Sequence, residues 1–238
     1  MLVAAAGFVS LGRWQLDRAE VNRAIAESFA EAPDLPVLER PPEAGAEDDV
    51  RFRLIRLSGR YLPATQILLD NMTHEGRAGY AVLTPFETTS GQIVLVNRGF
   101  VPADADRRVL PEVPTDGAPR AISGRLNRLQ STGPRLGSAD VLRPDSWPQL
   151  VTWLDHDPIE RALGADLETW LVQLDAAQPD GFAGRDWKPA TMPPATHGAY
   201  ALQWFSLAAA AVIIWLLLGL RRGKATRREN ETIDGDAR

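Results

Sequence analysis

"YALQWFSLAAAAVIIWLLLGL", residues 200–220, runs for 21 residues without a charge. A helix of that length rises roughly 31 Å at about 1.5 Å per residue, close to the hydrocarbon thickness of a bilayer. Trp204 near one end and Trp215 near the other carry amphipathic rings of the kind found at membrane interfaces. The run predicts a transmembrane helix, and its place late in the chain rules out a cleavable leader. Directly after it, "RRGKATRR" (residues 221–228) holds five basic residues. Such flanks stay on the cytoplasmic side, so the C-terminus is expected to face inward. Residues 221–238 carry six basic and four acidic residues, net +2, which leaves −7 on residues 1–220 of a chain that totals −5. An acidic body of that kind argues against nucleic-acid binding, which needs a basic face.

The other end is apolar as well. "MLVAAAGFVSLG", residues 1–12, reaches Arg13 before any charge. Twelve residues span only about 18 Å as helix, short of a bilayer. Either this is an interfacial segment, or it is the end of a first membrane helix whose upstream part is missing. The stretch has no basic n-region and no convincing cleavage site, and we expect the second. With both ends in lipid, the middle must lie outside the cytoplasm. The chain has no cysteine, which excludes a disulfide framework, thiol redox chemistry and thiolate-held metals.

Between the ends the pattern changes twice. "LGRWQLDRAEVNRAIAESFAEA" lacks Gly and Pro after Gly12, with Trp14, Leu16, Val21, Ile25 and Phe29 loosely on one helical face. It predicts a helix to about Ala32, stopped by Pro33 and Pro36. "ERPPEAGAEDD" is an acidic loop. From Phe52 the grammar is that of strands: "FRLIRLSGRYL", with a bulge or bend expected at Gly59, then "QILLDN", "YAVLTPF", "IVLVNRGFV", "RAISGRL", "QLVTWL" and "TWLVQLD". "TTSGQ" reads as a hairpin turn around Gly91 and "HEG" as a polar hairpin tip. "DPIERALG" reads as a short helix with Asp157 as N-cap and Gly164 at its end. The expected fold class is an α+β membrane protein, two transmembrane helices flanking a mostly antiparallel β extracytoplasmic domain, a small sheet or open barrel, with a short helix. The expected layout is a first membrane helix and its extension over 1–31, the β-rich domain over 32–196, a second transmembrane helix over 197–222, and a basic then polar cytoplasmic tail over 223–238.

Common catalytic signatures are absent: there is no G-x-S-x-G, P-loop, G-x-G-x-x-G or H-E-x-x-H pattern. Adjacent Asp155, His156 and Asp157 point in different directions on a strand or a helix start, so they do not make a metal site. Arg98 stands at a strand end before Gly99. It is a candidate for binding a carboxylate or propionate, or equally a structural clamp on a neighbouring acid. His197 stands at the threshold of the apolar helix. Imidazole is a good ligand for haem iron, and Ala201 and Ala208 on the same face would admit a flat macrocycle or another helix. The competing reading is a polar residue that caps the helix.

"LGRWQLDR", "GRYLPATQILLDN", "GYAVLTPF", "LVNRGFVP" and "HGAYALQWF" occur in this order between the two apolar ends. Together they closely resemble the Surfeit locus protein one family of cytochrome c oxidase assembly factors, from about Leu11 to Trp215, and "PDGFAGRDWKP" resembles its bacterial branch. The resemblance implies a non-enzymatic, multi-pass protein of the bacterial inner membrane with a periplasmic central domain. It implies help in delivering haem a to the oxidase catalytic subunit, with haem a as a transient cofactor. That subunit, the haem a synthesis machinery and the lipid bilayer are the implied partners. The alternative is a scaffold that holds the subunit and never handles haem. The family's proposed haem-iron ligand falls on His197, Trp14, Gln15 and Arg18 belong to the first-helix motif, and Arg98 is the strand-end arginine. Trp14 and Trp204 are expected to pack on the porphyrin, with Arg18 or Arg98 pairing a propionate. Phe100 stands where the family usually has Trp, Met72 where many relatives have Arg, and Thr196 where bacterial relatives often have Lys.

Overall fold

Strands form where the sequence alternates or runs apolar: β1 (Leu54–Tyr61), β2 (Ile67–His74), β3 (Arg77–Thr88), β4 (Ile93–Pro102), β5 (Arg120–Arg128), β6 (Gln149–Val151) and β7 (Leu167–Leu174). This computed structural model describes residues 1–42, 45–46, 49–129, 140, 142–189 and 191–236, with side chains as far as 221. Part of the acidic loop, and the side chains of the expected basic tail beyond Arg221, lie outside the described residues. The chain forms two compact units, Ser28–Lys188 and Met1–Glu27 with Pro189–Arg238.

The first of these is the β unit. Its strands hydrogen-bond in the order β1-β5-β7-β4-β3-β2-β6, with a further β1–β3 pairing. That extra pairing closes β1, β5, β7, β4 and β3 into a barrel, where a sheet or an open barrel is expected from sequence. Closure works because β3 is long: Arg77–Leu83 pair with β2, while Phe86–Thr88 pair with Tyr61–Gly59 of β1. Gly59 is the junction, facing Thr88 on one side and Arg120 on the other. It is not the bulge its sequence suggests. A Cβ there would fall onto the Glu87 carbonyl and the Thr88 backbone, so the residue is bare because two strands meet on it. Bulges lie instead in β2 between Leu69 and Met72 and in the β3–β4 ladder between Ala81 and Leu83.

Pairing is antiparallel except for β2–β6 and β4–β7. β4 and β7 explain their own composition. Val94 and Val96 pack into the barrel interior with Ile55, Phe86, Trp170 and Val172. Ile93 and Leu95 point to the opposite side, packing with Ile67, Leu167 and Ile159. A strand buried on both faces needs an unbroken apolar run, and "IVLV" supplies it. The outer side is covered by α2 (His156–Leu163). Asp155, not Asp157, is its N-cap residue, with extended backbone and its carbonyl taking the first helical bond from Ile159. Asp157 lies one residue inside the first turn, beside His156. Gly164 ends the helix in the left-handed conformation, φ 66°.

The remaining elements are α1 (Leu2–Glu31), followed by a 3₁₀ turn at Ala32–Asp34, and α3 (Pro194–Asp236). α3 opens three residues before His197 and its backbone stays helical through the expected tail. Among the described residues one helix, Pro194–Arg221, is long and apolar enough to cross a membrane. α1 does not reach that measure, because Arg13, Asp17, Arg18, Glu20 and Arg23 follow its apolar start.

Two outcomes follow for the β unit. Gly59→Val should part the β1–β3 junction and cost about 3 kcal/mol, at the upper end of overpacking costs, read from the denaturant midpoint of the full chain. His156 is partly buried, which opposes its charge. Hydrogen bonds to the Leu167 carbonyl and the Asp157 carboxylate, with the nearby Glu160 charge, outweigh this and raise its pKa. A raised histidine contributes fully below its unfolded value, about 6.5, and its contribution fades as pH rises through the folded value. His156→Gln should therefore lower the melting temperature more at about pH 5.5 than at about pH 8.5.

Candidate functional site

In the second unit, α1 and α3 meet along a seam of small residues. Ala5, Gly12, Ala19 and Asn22 are the buried residues of α1, and Ala201, Ala208 and Ala211 are buried on α3. With Phe8 and Gln15 included, the α1 positions alternate three and four apart, as do His197, Ala201, Trp204, Ala208 and Ala211. That is the spacing of a two-helix seam. Phe8 stacks on Trp204, ring centroids 5.8 Å apart and planes 25° apart. A Cβ on Gly12 would come within 2.6 Å of the Phe205 ring. Further along, Gln15 and Asn22 both reach His197. From Phe8 and Gly12 to Gln15 and Asn22 the partner on α3 drops back from Trp204 and Phe205 to His197, so the two helices run antiparallel.

The face that α1 buries differs from the one its large apolar residues suggest. Of the five expected on one face, Trp14, Leu16 and Val21 are 53%, 46% and 47% exposed, Ile25 and Phe29 are half-buried, and the small residues face inward. Small residues inside and large apolar ones outside is how helices pack in lipid, where burying leucine gains little and close backbone approach gains most.

The polar end of the seam is built around His197, which is 8% exposed. Asn22 Nδ2 donates to the Met192 carbonyl at 2.9 Å and lies 3.0 Å from His197 Nε2. Gln15 Oε1 lies 2.7 Å from His197 Nδ1. A carbonyl only accepts, so the Asn22 atom facing Met192 is the amide nitrogen, and it donates to Nε2 as well. Nε2 is then the bare nitrogen, and Nδ1–H donates to Gln15. His197 is thus neither a helix cap nor a free imidazole. It joins α3 to α1 and, through Asn22, to the segment just before α3.

The other candidates fall in different places. Trp204 shares the seam with His197, but its ring lies on Phe8. Trp14 and Arg18 are exposed on α1, off the seam on either side of Gln15 in sequence. Arg98 belongs to the β unit and is 1% exposed. Its Nε donates to the Asp180 carbonyl at 2.7 Å, one terminal nitrogen to the Pro114 carbonyl at 3.0 Å and the other to Thr84 Oγ1 at 3.4 Å. Its Cζ lies 5.2 Å from the Tyr61 ring centroid and 4.9 Å from that of Phe182. Burial lowers its pKa, and burial also pushes Tyr61 up to about 12. Here Arg98 is a clamp: it holds the loop of Asp180 and Phe182 to the end of β4, where Phe182 N–H also donates to the Arg98 carbonyl at 2.6 Å. Among the described residues no cluster of His, Asp and Glu could hold a metal ion.

Sequence reasoning overlooked Asn22. The three-and-four spacing from Ala5 through Gly12 and Ala19 carried the signal, since it places residue 22 on the same line.

An apolar α3 and a closed β unit define a membrane-anchored β-domain protein. The SURF1 family model matches residues 2–209, and the chain belongs to that family, whose members are known broadly as oxidase assembly factors and not as enzymes. It is 26% identical to a SURF1-like protein of Rickettsia bellii, over 87% of this chain and 84% of the relative. It is 27% identical to an uncharacterised SURF1-like protein of Mycobacterium bovis, over 93% and 81%. A SURF1-like protein of Monosiga brevicollis is 24% identical over 90% and 84%.

The seam itself can be tested. Gly12→Leu has no room beside Phe205 and should cost about 1–3 kcal/mol, with Gly12→Ala less harmful, both read as thermal midpoints of the full chain in detergent.

Proposed function

We propose that this protein is an inner-membrane assembly factor for a haem-copper cytochrome c oxidase that helps haem a reach the catalytic subunit, and that His197 Nε2 would hold the haem iron. The supporting observation is the state of the ring. Gln15 holds the proton on Nδ1, the second hydrogen bond by which ligating histidines are commonly oriented, and this leaves the lone pair on Nε2. Haem a, when bound, would supply an iron of the kind a neutral imidazole ligates. The imidazole fits that group. Trp204 is taken up by Phe8, and Arg98 has no part in this reading because its guanidinium is committed inside the β unit. Trp14 and Arg18, both exposed, are the groups left to meet a porphyrin face and a propionate.

The same reading takes α1 as a second membrane helix, supported by its inside-out seam, and takes the β unit as periplasmic and the C-terminus as cytoplasmic, supported by the basic flank after α3. The catalytic subunit is the partner proposed, with the haem a synthesis machinery on the supply side. One observation favours a scaffold instead: His197 is buried, and both its nitrogens already have partners within the chain. A scaffold needs no free ligand, and then the histidine serves only to lock α1 to α3.

Purification from cells that make haem a, with and without His197→Ala, separates the two. Haem delivery predicts a haem a absorption band that the substitution removes, and lower haem content in the oxidase. Identical spectra and unchanged oxidase haem would leave the scaffold.

A further inference from the structure

We propose that Asn22 is a displaceable cap on the Nε2 lone pair of His197, a positioning residue that sets how readily the ring accepts a metal or any other electrophile. The identity of that metal rests on the haem reading above; the cap itself does not.

The geometry carries the proposal in three steps. Met192 O and His197 Nε2 are both acceptors, and one amide nitrogen lies 2.9 Å from the first and 3.0 Å from the second. Only an NH₂ group with two hydrogens satisfies both. Nε2 therefore has its single lone pair engaged by Asn22, while Nδ1 is engaged by Gln15 at 2.7 Å. A nitrogen has one lone pair in the ring plane, so capping by Asn22 and coordination to a metal exclude each other. Asn22 is 5% exposed and His197 8% exposed, so water does not take over the bond when the amide is in place.

Both contacts of Asn22 are made by the same Nδ2, 2.9 Å from the Met192 carbonyl and 3.0 Å from Nε2, so both depend on the two side-chain rotations of Asn22. Swinging the amide off the ring costs one to two neutral hydrogen bonds. Gln15 stays behind to keep the proton on Nδ1. Opening therefore yields a ring that is already in the ligating tautomer, held by α1 and aimed by α3. Gln15 and Asn22 divide the work: one decides which nitrogen is bare, the other decides when it is available.

Diethyl pyrocarbonate, which acylates bare imidazole nitrogen, reads the cap without any metal. Three histidines give separate peptides, and His74 and His156 lie in the β unit, so they serve as internal controls for unfolding of that unit. In the full chain in detergent, Asn22→Ala should raise the acylation rate at His197 at least about fivefold, the equilibrium weight of one neutral hydrogen bond. The rates at His74 and His156 should not change. Asn22→Gln keeps an amide donor and should return the rate toward that of the wild type. Titration with ferric protoporphyrin IX should show a similar gain in affinity for Asn22→Ala, removed when His197→Ala is added.

An unchanged His197 rate in Asn22→Ala, or equal acceleration in Asn22→Gln, overturns the cap. Acceleration at all three histidines identifies loss of fold, and ¹⁵N spectra of the wild-type ring then decide. A bare Nε2 shifted by hydrogen bonding supports the cap, and a protonated Nε2 overturns it. If the rate rises as expected and porphyrin binding ignores His197, the cap stands and the haem reading falls.

Discussion

A backbone carbonyl cannot donate a hydrogen bond, and that constraint at Met192 orders the polar end of the helix pair. It turns the Asn22 amide so that nitrogen faces both Met192 and His197, which strips Nε2 of its proton and sends that proton to Nδ1 and on to Gln15. Two helices and the segment before α3 are tied by three hydrogen bonds whose directions all follow from one backbone oxygen. A buried polar chain of this kind is stable only when each member is satisfied, and each contact here has a donor and an acceptor. The small-residue seam below it permits the approach: with larger side chains at Gly12 or Ala19, α1 would stand too far from α3 for Gln15 to reach the ring.

The β unit meets the same problem with a full charge. Arg98 is enclosed by Tyr61, Phe182 and Thr84, and its nitrogens donate to two backbone carbonyls and a hydroxyl. The nearby Asp180 carboxylate, held by Arg120, favours its charge. Neutral oxygens and aromatic faces replace water around the guanidinium, which is more weakly hydrated than an ammonium and tolerates the exchange. Asp180 adopts φ 61°, and Gly99 adopts φ 110° with Ala183 O close by. The loop is therefore bent to fit the arginine and the strand end. A side chain that a motif search marks as a ligand for an anion is thus occupied in joining the β4 end to the 180–183 loop.

Much of this arrangement can be read from residues alone, and the failures share a cause. The 21 uncharged residues of α3 declare themselves by length. So do the hairpins, through Gly91 at φ 86° and Glu75–Gly76 at φ 49° and 75°, because turn chemistry is local. The barrel closure is not local. It joins residues 59–61 to 86–88 and depends on a missing side chain at Gly59, which from sequence reads equally well as a bulge. α2 was displaced by two residues at its cap because Asp155 and Asp157 both suit that position. The inward face of α1 was hidden for another reason. A face of Trp14, Leu16, Val21, Ile25 and Phe29 gives weight to large apolar groups, and only Ile25 and Phe29 among them are half-buried. Along α1 the interior belongs to Ala5, Gly12 and Ala19. Asn22 follows from that line and not from any motif.

The capped histidine also bears on what kind of carrier this chain can be. A protein that hands a porphyrin onward needs a ligand strong enough to accept it and weak enough to let go. An exposed imidazole with a free Nε2 would bind at its intrinsic strength. A capped one binds with that strength reduced by the fraction of time the cap is open. On the haem reading, a closed form favoured at least about fivefold would lower affinity at least about sixfold, with the amide placed to retake the nitrogen as the metal leaves. On that reading the internal competitor would assist release without contributing a second ligand. The scaffold reading keeps the same three bonds, since a lock through the Asn22 amide also needs Nε2 bare to accept; the two readings part on whether Asn22 gives way to a metal.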